Sequence, residues 1–524
     1  MRIRNKTNMI FLMILSVQLL FLVYKIDSFP NVFIDEANGM YDAWCLAQWG
    51  VDSHLIKNPV YLQSYWGQGQ SILYPILGGL SMKLFGYKIW AYRIPLIMIA
   101  LLNTVVVYYV SCKYKVREKL FYILTICTSP YLLTMTRFSM DCNVAIYMIS
   151  IGSMVIFAGV SELNHIKRKI LLMIGISFLA ASTYSYNVSW IFLPVYILVI
   201  SAYLIKSGKL RISELMYTGT TMLIEMLPII IFAIRSNIES LNQTIQILWW
   251  TSPKLPIGRR DASIIVFDKN IILNIAHNVY DGMKMFLSGT DGLSWNSVAN
   301  FGPYYMFSLP FFIIGIFVLI KRRSMFDGIT LAQLIAMIPI VIIVTPNYNH
   351  WMFLHIPVLY IIACGIAECY FSLNSDKKII IAIAATYTIF FSWFAKLYFT
   401  SDRYTGFNTD AKLQLERLNT SNYERVYFAS DDSDFICMIR WALPVPPYDF
   451  QSTKDYPFSL DHLTTNDLYS NFERLSEVRD NYYENEGDSL YIIQDSFFDL
   501  YDNKQYVTED KAIYLNGRKY IVYS

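Results

Sequence analysis

The sequence predicts a polytopic α-helical membrane protein of about eleven transmembrane helices, followed by a small soluble α/β domain. Three observations carry this expectation. Of 524 residues, 55% are hydrophobic and 16% charged, with a mean hydropathy of +0.36, whereas a soluble protein would be about 25% charged. The apolar residues come in runs: 10–24, 94–110, 170–181 and 379–394 are nearly free of charge, and with their flanks they reach the ~20 residues that cross a bilayer core. The charge is also divided. Residues 401–524 hold 22 acidic and 12 basic residues, while the preceding 400 hold 18 and 31. A basic membrane part, 1–400, and an acidic domain, 401–524, follow.

Lys and Arg in short loops mark the cytoplasmic side. Arg2, Arg4 and Lys6 place the N-terminus there, and the apolar run behind them lacks a small-residue cleavage site, so it reads as a retained anchor. Spans then fall at about 8–24, 91–111, 120–135, 144–160, 170–186, 189–205, 215–234 and 304–320, in a hairpin around the turn TPNYNHW, and at 379–399. Basic clusters at 113–119, 167–169, 206–211, 321–323 and 377–378 all land on one side. The first outer loop, 25–90, a second, 235–303, and the acidic domain are thereby expected outside.

Within those outer parts, residues 37–49 have a helical pattern and suit a helix lying in the interface. LNQTIQILWW and NIAHNVYDGMKMFL read likewise. In the acidic domain RVYFAS, SLYIIQ and RKYIVYS read as strands and DLYSNFERLSEVRDNYY as a helix. The seven cysteines include no CxxC, which argues against a zinc site or a disulfide framework. No basic stripe stands apart from the membrane flanks, so nucleic acid is excluded as a partner.

The first outer loop is too long, acidic and aromatic to be only a connector. Its first acids, Asp35 and Glu36, follow the first span. Alone, such a pair is ordinary interfacial solvation, but at the start of an aromatic helix a partly desolvated carboxylate makes a better base. Adjacent residues point differently on a helix, so Asp35 is assigned as base and Glu36 as its capping or orienting neighbour. Asp141, in TRFSMDCN, is the second acid on the same expected face. Taken alone it is a helix-start acid with Arg137 as partner.

The segment SYWGQGQSILYP offers Tyr65, Gln68 and Gln70 to a hydroxyl-rich ligand, with Gly67 and Gly69 allowing close backbone approach. It matches no Walker loop or dinucleotide fingerprint, so ATP and NAD are not implied. Outer cations are few: Lys57, Arg137, Arg235, Lys254, Arg259 and Arg260, with His54 and His350. Arg235, at a helix end, suits a lipid phosphate, with interfacial anchoring as the equal alternative. His54 has no second ligand at diagnostic spacing, so no metal site is assigned.

Together these motifs resemble a known family. The Asp35–Glu36 opening, GVDSH, PVY, a YP before a helix, FGYKIWAYRIP, RFSMD with Asp141, and PNYNHWMFLHIP with Asn349 and His350 are similar to the GT-C glycosyltransferases. The nearest group is the protein O-mannosyltransferases and aminoarabinose transferases. The family often has Arg where this chain has His350. The resemblance covers roughly residues 1–399. It implies a polyprenyl-phosphate-linked sugar as donor, a cell-surface glycan, lipid or protein as acceptor, Asp35 as base and Asp141 as an orienting acid. A phosphate leaving group needs no acid, so no cofactor is required and a divalent metal is optional. Lys-, Asn-, Ile- and Tyr-rich usage suggests a bacterial plasma membrane. The alternatives are a flippase for lipid-linked sugars, for which Glu225 is the clearest mid-span acid, and a surface sensor.

Overall fold

The computed structural model describes residues 2–65, 67–256, 263–373, 376–400, 406–452, 468–474, 489–498 and 511–523. The chain begins with α1 (Arg2–Val23), α2 (Ile34–Trp49), the strands β1 (Tyr61–Gln63) and β2 (Gly69–Ser71), α3 (Leu73–Phe85) and α4 (Ile89–Lys113). Then come α5 (Lys119–Thr128), α6 (Pro130–Arg137), α7 (Ala145–Val160), α8 (His165–Ala181), α9 (Ser189–Lys206) and α10 (Ile212–Ser236). The hairpin β3 (Ile245–Ile247) and β4 (Trp250–Ser252) precedes α11 (Ile271–Ser288), α12 (Leu309–Arg322), α13 (Met325–Ile343), α14 (His355–Ser372) and α15 (Lys377–Thr400). The last part holds α16 (Thr409–Arg417), β5 (Arg425–Ala429), α17 (Phe435–Ala442), α18 (Pro447–Ser452), β6 (Leu468–Tyr469), β7 (Phe472–Arg474), β8 (Ser489–Gln494), α19 (Asp495–Phe498), β9 (Lys511–Leu515) and β10 (Arg518–Tyr523).

Among the described residues, eight helices are long and apolar enough to cross a membrane. The other three expected spans are helical but shorter. Residues 120–135 are broken into α5 and α6, because Pro130 opens a new helix with Ser129 as its N-cap, the Ser129 hydroxyl accepting from the Leu132 amide at 3.4 Å. The expected spans at 170–186 and 304–320 are α8 and α12, of 17 and 14 residues.

The chain packs as two compact units. One is Met1–Ile26, Arg93–Ile231 and Arg259–Tyr404; the other is Asp27–Tyr92, Phe232–Gly258 and Thr405–Ser524. The composition boundary near residue 400 is therefore not the whole division, because the first outer loop groups with the acidic domain.

In the helical unit, small residues let backbones approach. A Cβ on Gly315 would lie 1.9 Å from the Ile361 carbonyl, and one on Gly365 would lie 1.8 Å from that of Phe311. Glycine is thus required at both positions where α12 crosses α14. A polar clamp joins the same helices to two others. Arg322 donates to both oxygens of Glu118, at 3.0 and 2.8 Å, and to both of Asp327, with Nε at 2.9 Å from Oδ2. Tyr360 donates to Glu118 at 2.5 Å, and Asp327 forms a capping box with Ser324 at the start of α13.

The second unit is built on a six-stranded sheet of order β6-β7-β5-β8-β10-β9. Strand β5 runs parallel to β7 and β8, while β10 pairs antiparallel with β8 and β9. RVYFAS, SLYIIQ and RKYIVYS are strands, as expected. DLYSNFERLSEVRDNYY is not the expected helix where it is described: β6 and β7 form a hairpin through Ser470 at φ +53°, and β7 adds to β5. Residues 475–483 of that segment lie outside the described residues.

LNQTIQILWW is likewise a hairpin rather than an interfacial helix. Its turn holds Leu248 at φ +56°, and the Asn58 amide donates to the Trp249 carbonyl at 2.9 Å. Cross-pairing of Pro59 with Thr251 gives these backbone groups long-range partners that helical periodicity does not reveal. NIAHNVYDGMKMFL does form a helix, α11.

Candidate active site

Helix α2 starts after Phe33, with Asp35 and Glu36 in its first turn, where acids are favoured by the helix dipole. It is not an interface-lying helix, because Glu36 to Ala43 and Cys45 are all buried. Glu36 is 1% exposed, while Asp35 is half-buried. The first turn is fixed from outside the helix. Gln70, the middle residue of β2, donates through Nε2 to the Asp35 backbone carbonyl at 2.8 Å and accepts from Asn38 Nδ2 through Oε1 at 2.8 Å. The sequence offers Gln70 as a substrate ligand. In the fold it is buried and both ends of its amide are committed to α2.

Asn38 passes this contact inward. Its amide also donates to Asp42 Oδ2 at 3.2 Å, and its oxygen accepts from Arg440 Nη2. Arg440, from α17, is buried between the rings of Tyr41 and Tyr65, with its guanidinium carbon 5.1 and 5.6 Å from their centroids. Tyr65 donates to the Ser433 carbonyl at 3.3 Å, so its hydroxyl faces the acidic domain's own loop.

Two buried acids end the network. Asp42 Oδ1 accepts from the Ser53 amide at 2.8 Å. Asp52 Oδ1 accepts from the amides of His54 and Ile56 at 2.9 and 2.8 Å, and its Oδ2 is buried with no hydrogen-bond partner. Burial pushes the Asp42 carboxyl up against the pull of Arg440 and of hydrogen bonds from Ser53 and Asn38. Burial, and then the neighbouring Asp42, pushes Asp52 up to about 8. The pair titrates together.

The remaining loop candidates spread out. His54 is half-buried, with Nδ1 3.1 Å from the Ser53 hydroxyl. Lys57 and Gln68 are exposed. Arg235, at the end of α10, is half-buried, and among the described residues its Nε has no hydrogen-bond partner. Arg259 and Arg260 lie outside the described residues.

In the helical unit Asp141 is buried at the start of a 3-10 turn, Asp141–Val144, and its carbonyl accepts from the Ser185 hydroxyl at 3.2 Å. Arg137 reaches the end of α1. It is 1% exposed and donates to the carbonyls of Phe21, Leu22 and Tyr24 at 2.6, 2.8 and 2.6 Å. These are the orphan carbonyls at the C-terminus of α1. Asn349 accepts from Tyr131 at 2.7 Å. His350 Nδ1 lies 2.7 Å from the Thr345 carbonyl, so that nitrogen carries the proton.

Three residues outside the sequence reading organise these sites. Arg440 was legible only as a lone cation inside the apolar run FICMIRWA. Asp52 was legible only as part of GVDSH. Asp291 accepts from Asn296 Nδ2 at 2.7 Å and from the Tyr348 amide at 2.9 Å, which fixes the turn that bears Asn349. Burial raises its carboxyl above the ordinary value.

Among the described residues, one group of metal-capable side chains converges: Glu118, Asp327 and Cys364, with ligand atoms within 4.8 Å of one another. The group does not fit a metal well, because the Arg322 guanidinium already bridges the two carboxylates as a fixed cation. None of the expected site acids belongs to it.

No family model matches the sequence, and no curated protein matches it. Solved structures do. ArnT from Cupriavidus metallidurans bound to undecaprenyl phosphate is similar over 98% of this chain and 97% of its own, at 13% identity and a TM-score of 0.58. Its apo state is similar over 100% and 98%, at 12% identity and a TM-score of 0.56. The Archaeoglobus fulgidus oligosaccharyltransferase in complex with Zn and sulfate is similar over 93% of this chain and 68% of its own, at 11% identity and a TM-score of 0.54. The chain has the GT-C fold of these membrane proteins.

Proposed function

We propose that this protein is an inverting glycosyltransferase that moves a sugar from a polyprenyl-phosphate donor to a cell-surface acceptor, at the outer face of a bacterial plasma membrane. The observation that carries the reading is Asp35. It is a half-buried carboxylate on the first turn of a helix otherwise packed into the unit's interior, in a chain with the fold of ArnT, which is known bound to undecaprenyl phosphate.

In this reading Asp35 takes the proton from an acceptor hydroxyl as its oxygen attacks the anomeric carbon. The bond from that carbon to the phosphate oxygen breaks, the configuration inverts, and the lipid leaves as a phosphate monoester anion. The proton stays on Asp35 until it exchanges with solvent. Gln70 and Asn38 hold the turn that carries the base, a positioning role. The resemblance assigns Asp141 the role of a second, orienting acid. Arg235, with an unsatisfied Nε, and exposed Lys57 are the cations offered to the donor phosphate. The chain's own residues supply base and charge, so no cofactor is required and a divalent metal is optional.

For the flippase alternative the clearest mid-span acid is Glu225, which accepts from Ser177 at 2.7 Å between α8 and α10. The test is transfer from radiolabelled polyprenyl-phosphate sugars by the purified protein and its Asp35→Asn variant. Loss of transfer with retained lipid binding is expected. Equal turnover in both would remove Asp35 as base, and no transfer from any donor with binding intact would favour the flippase.

A further inference from the structure

Helices α1, α5 and α15 of the helical unit line a half-open cavity of about 480 Å³. Its walls are apolar, with Ile14, Leu124, Ile383 and Phe391 facing it. One end is closed by aromatic packing: Phe21 lies 5.8 Å from Phe391 and 5.5 Å from Phe394, drawing α1 and α15 together. At the other end Thr7, Arg117 and Lys119 line the opening.

The charge at the open end is positive. Arg117 pairs with Glu368 and lies over the Phe371 ring, its guanidinium carbon 5.0 Å from the centroid. Among the described residues no carboxylate pairs with Lys119, and the adjacent Glu118 is fully engaged by Arg322. Lys6, Lys377 and Lys378 begin or flank the helices that enter the same end, with Asp376 the other nearby acid. Helices α1 and α15 are also among the least covered spans, with 22% and 11% of their apolar windows buried inside the protein. Something apolar must cover them.

The groove runs from Thr7 to Val17 along α1, about 15 Å at 1.5 Å per residue. That is half of a ~30 Å hydrocarbon core, the depth of one leaflet. We infer that it holds an acyl chain of an anionic two-chain phospholipid, with the headgroup phosphate at Lys119 and Arg117. A polyprenyl chain would overrun a pocket closed at one leaflet's depth. The site belongs to the end of the bundle where basic residues collect, and it does not depend on the glycosyltransferase reading.

Native mass spectrometry of delipidated protein tests this, with phosphatidylglycerol, phosphatidylcholine of the same chains and a polyprenyl phosphate added in competition. Phosphatidylglycerol should be preferred over phosphatidylcholine by about fivefold, the effect of one basic residue at a membrane surface. Lys119→Gln with Arg117→Gln should abolish the preference, and Lys119→Arg should keep it. Ala384→Trp, which fills the groove, should weaken binding of both phospholipids and remove the thermal stabilisation they give. Unchanged preference in the double variant, or displacement of phosphatidylglycerol by an equal amount of polyprenyl phosphate, would overturn the assignment. Unchanged phospholipid binding by Ala384→Trp would overturn it as well.

Discussion

Gln70 donates a 2.8 Å hydrogen bond to the backbone carbonyl of Asp35, so the hairpin residue holds the main chain of the candidate base. The same amide accepts from Asn38. Removing it should misplace the first turn of α2 without removing any ligand. Gln70→Ala is expected to lower kcat by about 10–100-fold, the scale of a 1 Å misplacement, with donor KM changed less than about threefold. Gln70→Glu should be no better above pH 6, since a carboxylate cannot donate to the Asp35 carbonyl. Steady-state kinetics decide, and a large KM rise with kcat intact would make Gln70 a substrate ligand instead.

Arg440 is the buried cation that faces Asp42 and Asn38. Arg440→Met leaves Asp42 buried without its opposite charge, at a cost of about 3–5 kcal/mol. The double variant Arg440→Met with Asp42→Asn should recover more than half of that, because it removes both charges. Thermal and denaturant unfolding in detergent would show the coupling. Additive losses would mean the two side chains are energetically independent.

The Asp42–Asp52 pair makes the second unit sensitive to pH. In the folded chain Asp52 keeps its proton up to about pH 8, whereas unfolded it loses it near its ordinary value of 3.8. The folded state therefore binds more protons between these values, and stability falls as pH rises from about 4 to 8. Asp42 is shifted in the same direction. Asp52→Asn should flatten the melting temperature across that window, with a cost of about 1–3 kcal/mol at low pH for its unmatched amide. Parallel curves for the variant and the parent would assign the pH dependence elsewhere.

Arg137 caps α1 through three carbonyls, so its loss is a stability defect rather than a binding defect. Arg137→Met should cost about 2–4 kcal/mol and leave donor KM within about twofold. A tenfold rise in KM at an unchanged melting temperature would restore the anion-site role expected of it as one of the few outer cations.

What could be read along the chain were the properties set by local composition and period. Apolar runs marked the helices, down to α11 and α15, because the free energy of burying twenty apolar residues does not depend on which neighbours do the burying. Alternation marked β5, β8 and β10 for the same reason, and the proposal of Asp35 as base rests on an acid pair after a membrane span. Three spans came out short, one of them because a local signal competed, Ser129–Pro130 between α5 and α6.

The partner of each polar group was decided only by the tertiary structure. Arg137 and Gln70 both look like ligands in sequence, yet each donates to a backbone carbonyl from a distant segment, Phe21 and Asp35 respectively. Arg440 meets Asn38 across 402 residues, and LNQTIQILWW is a hairpin because Asn58 and Pro59 pair with it. A buried donor or acceptor must be satisfied wherever the fold can supply a match. That match comes from long-range geometry, which periodicity and composition along the chain do not encode.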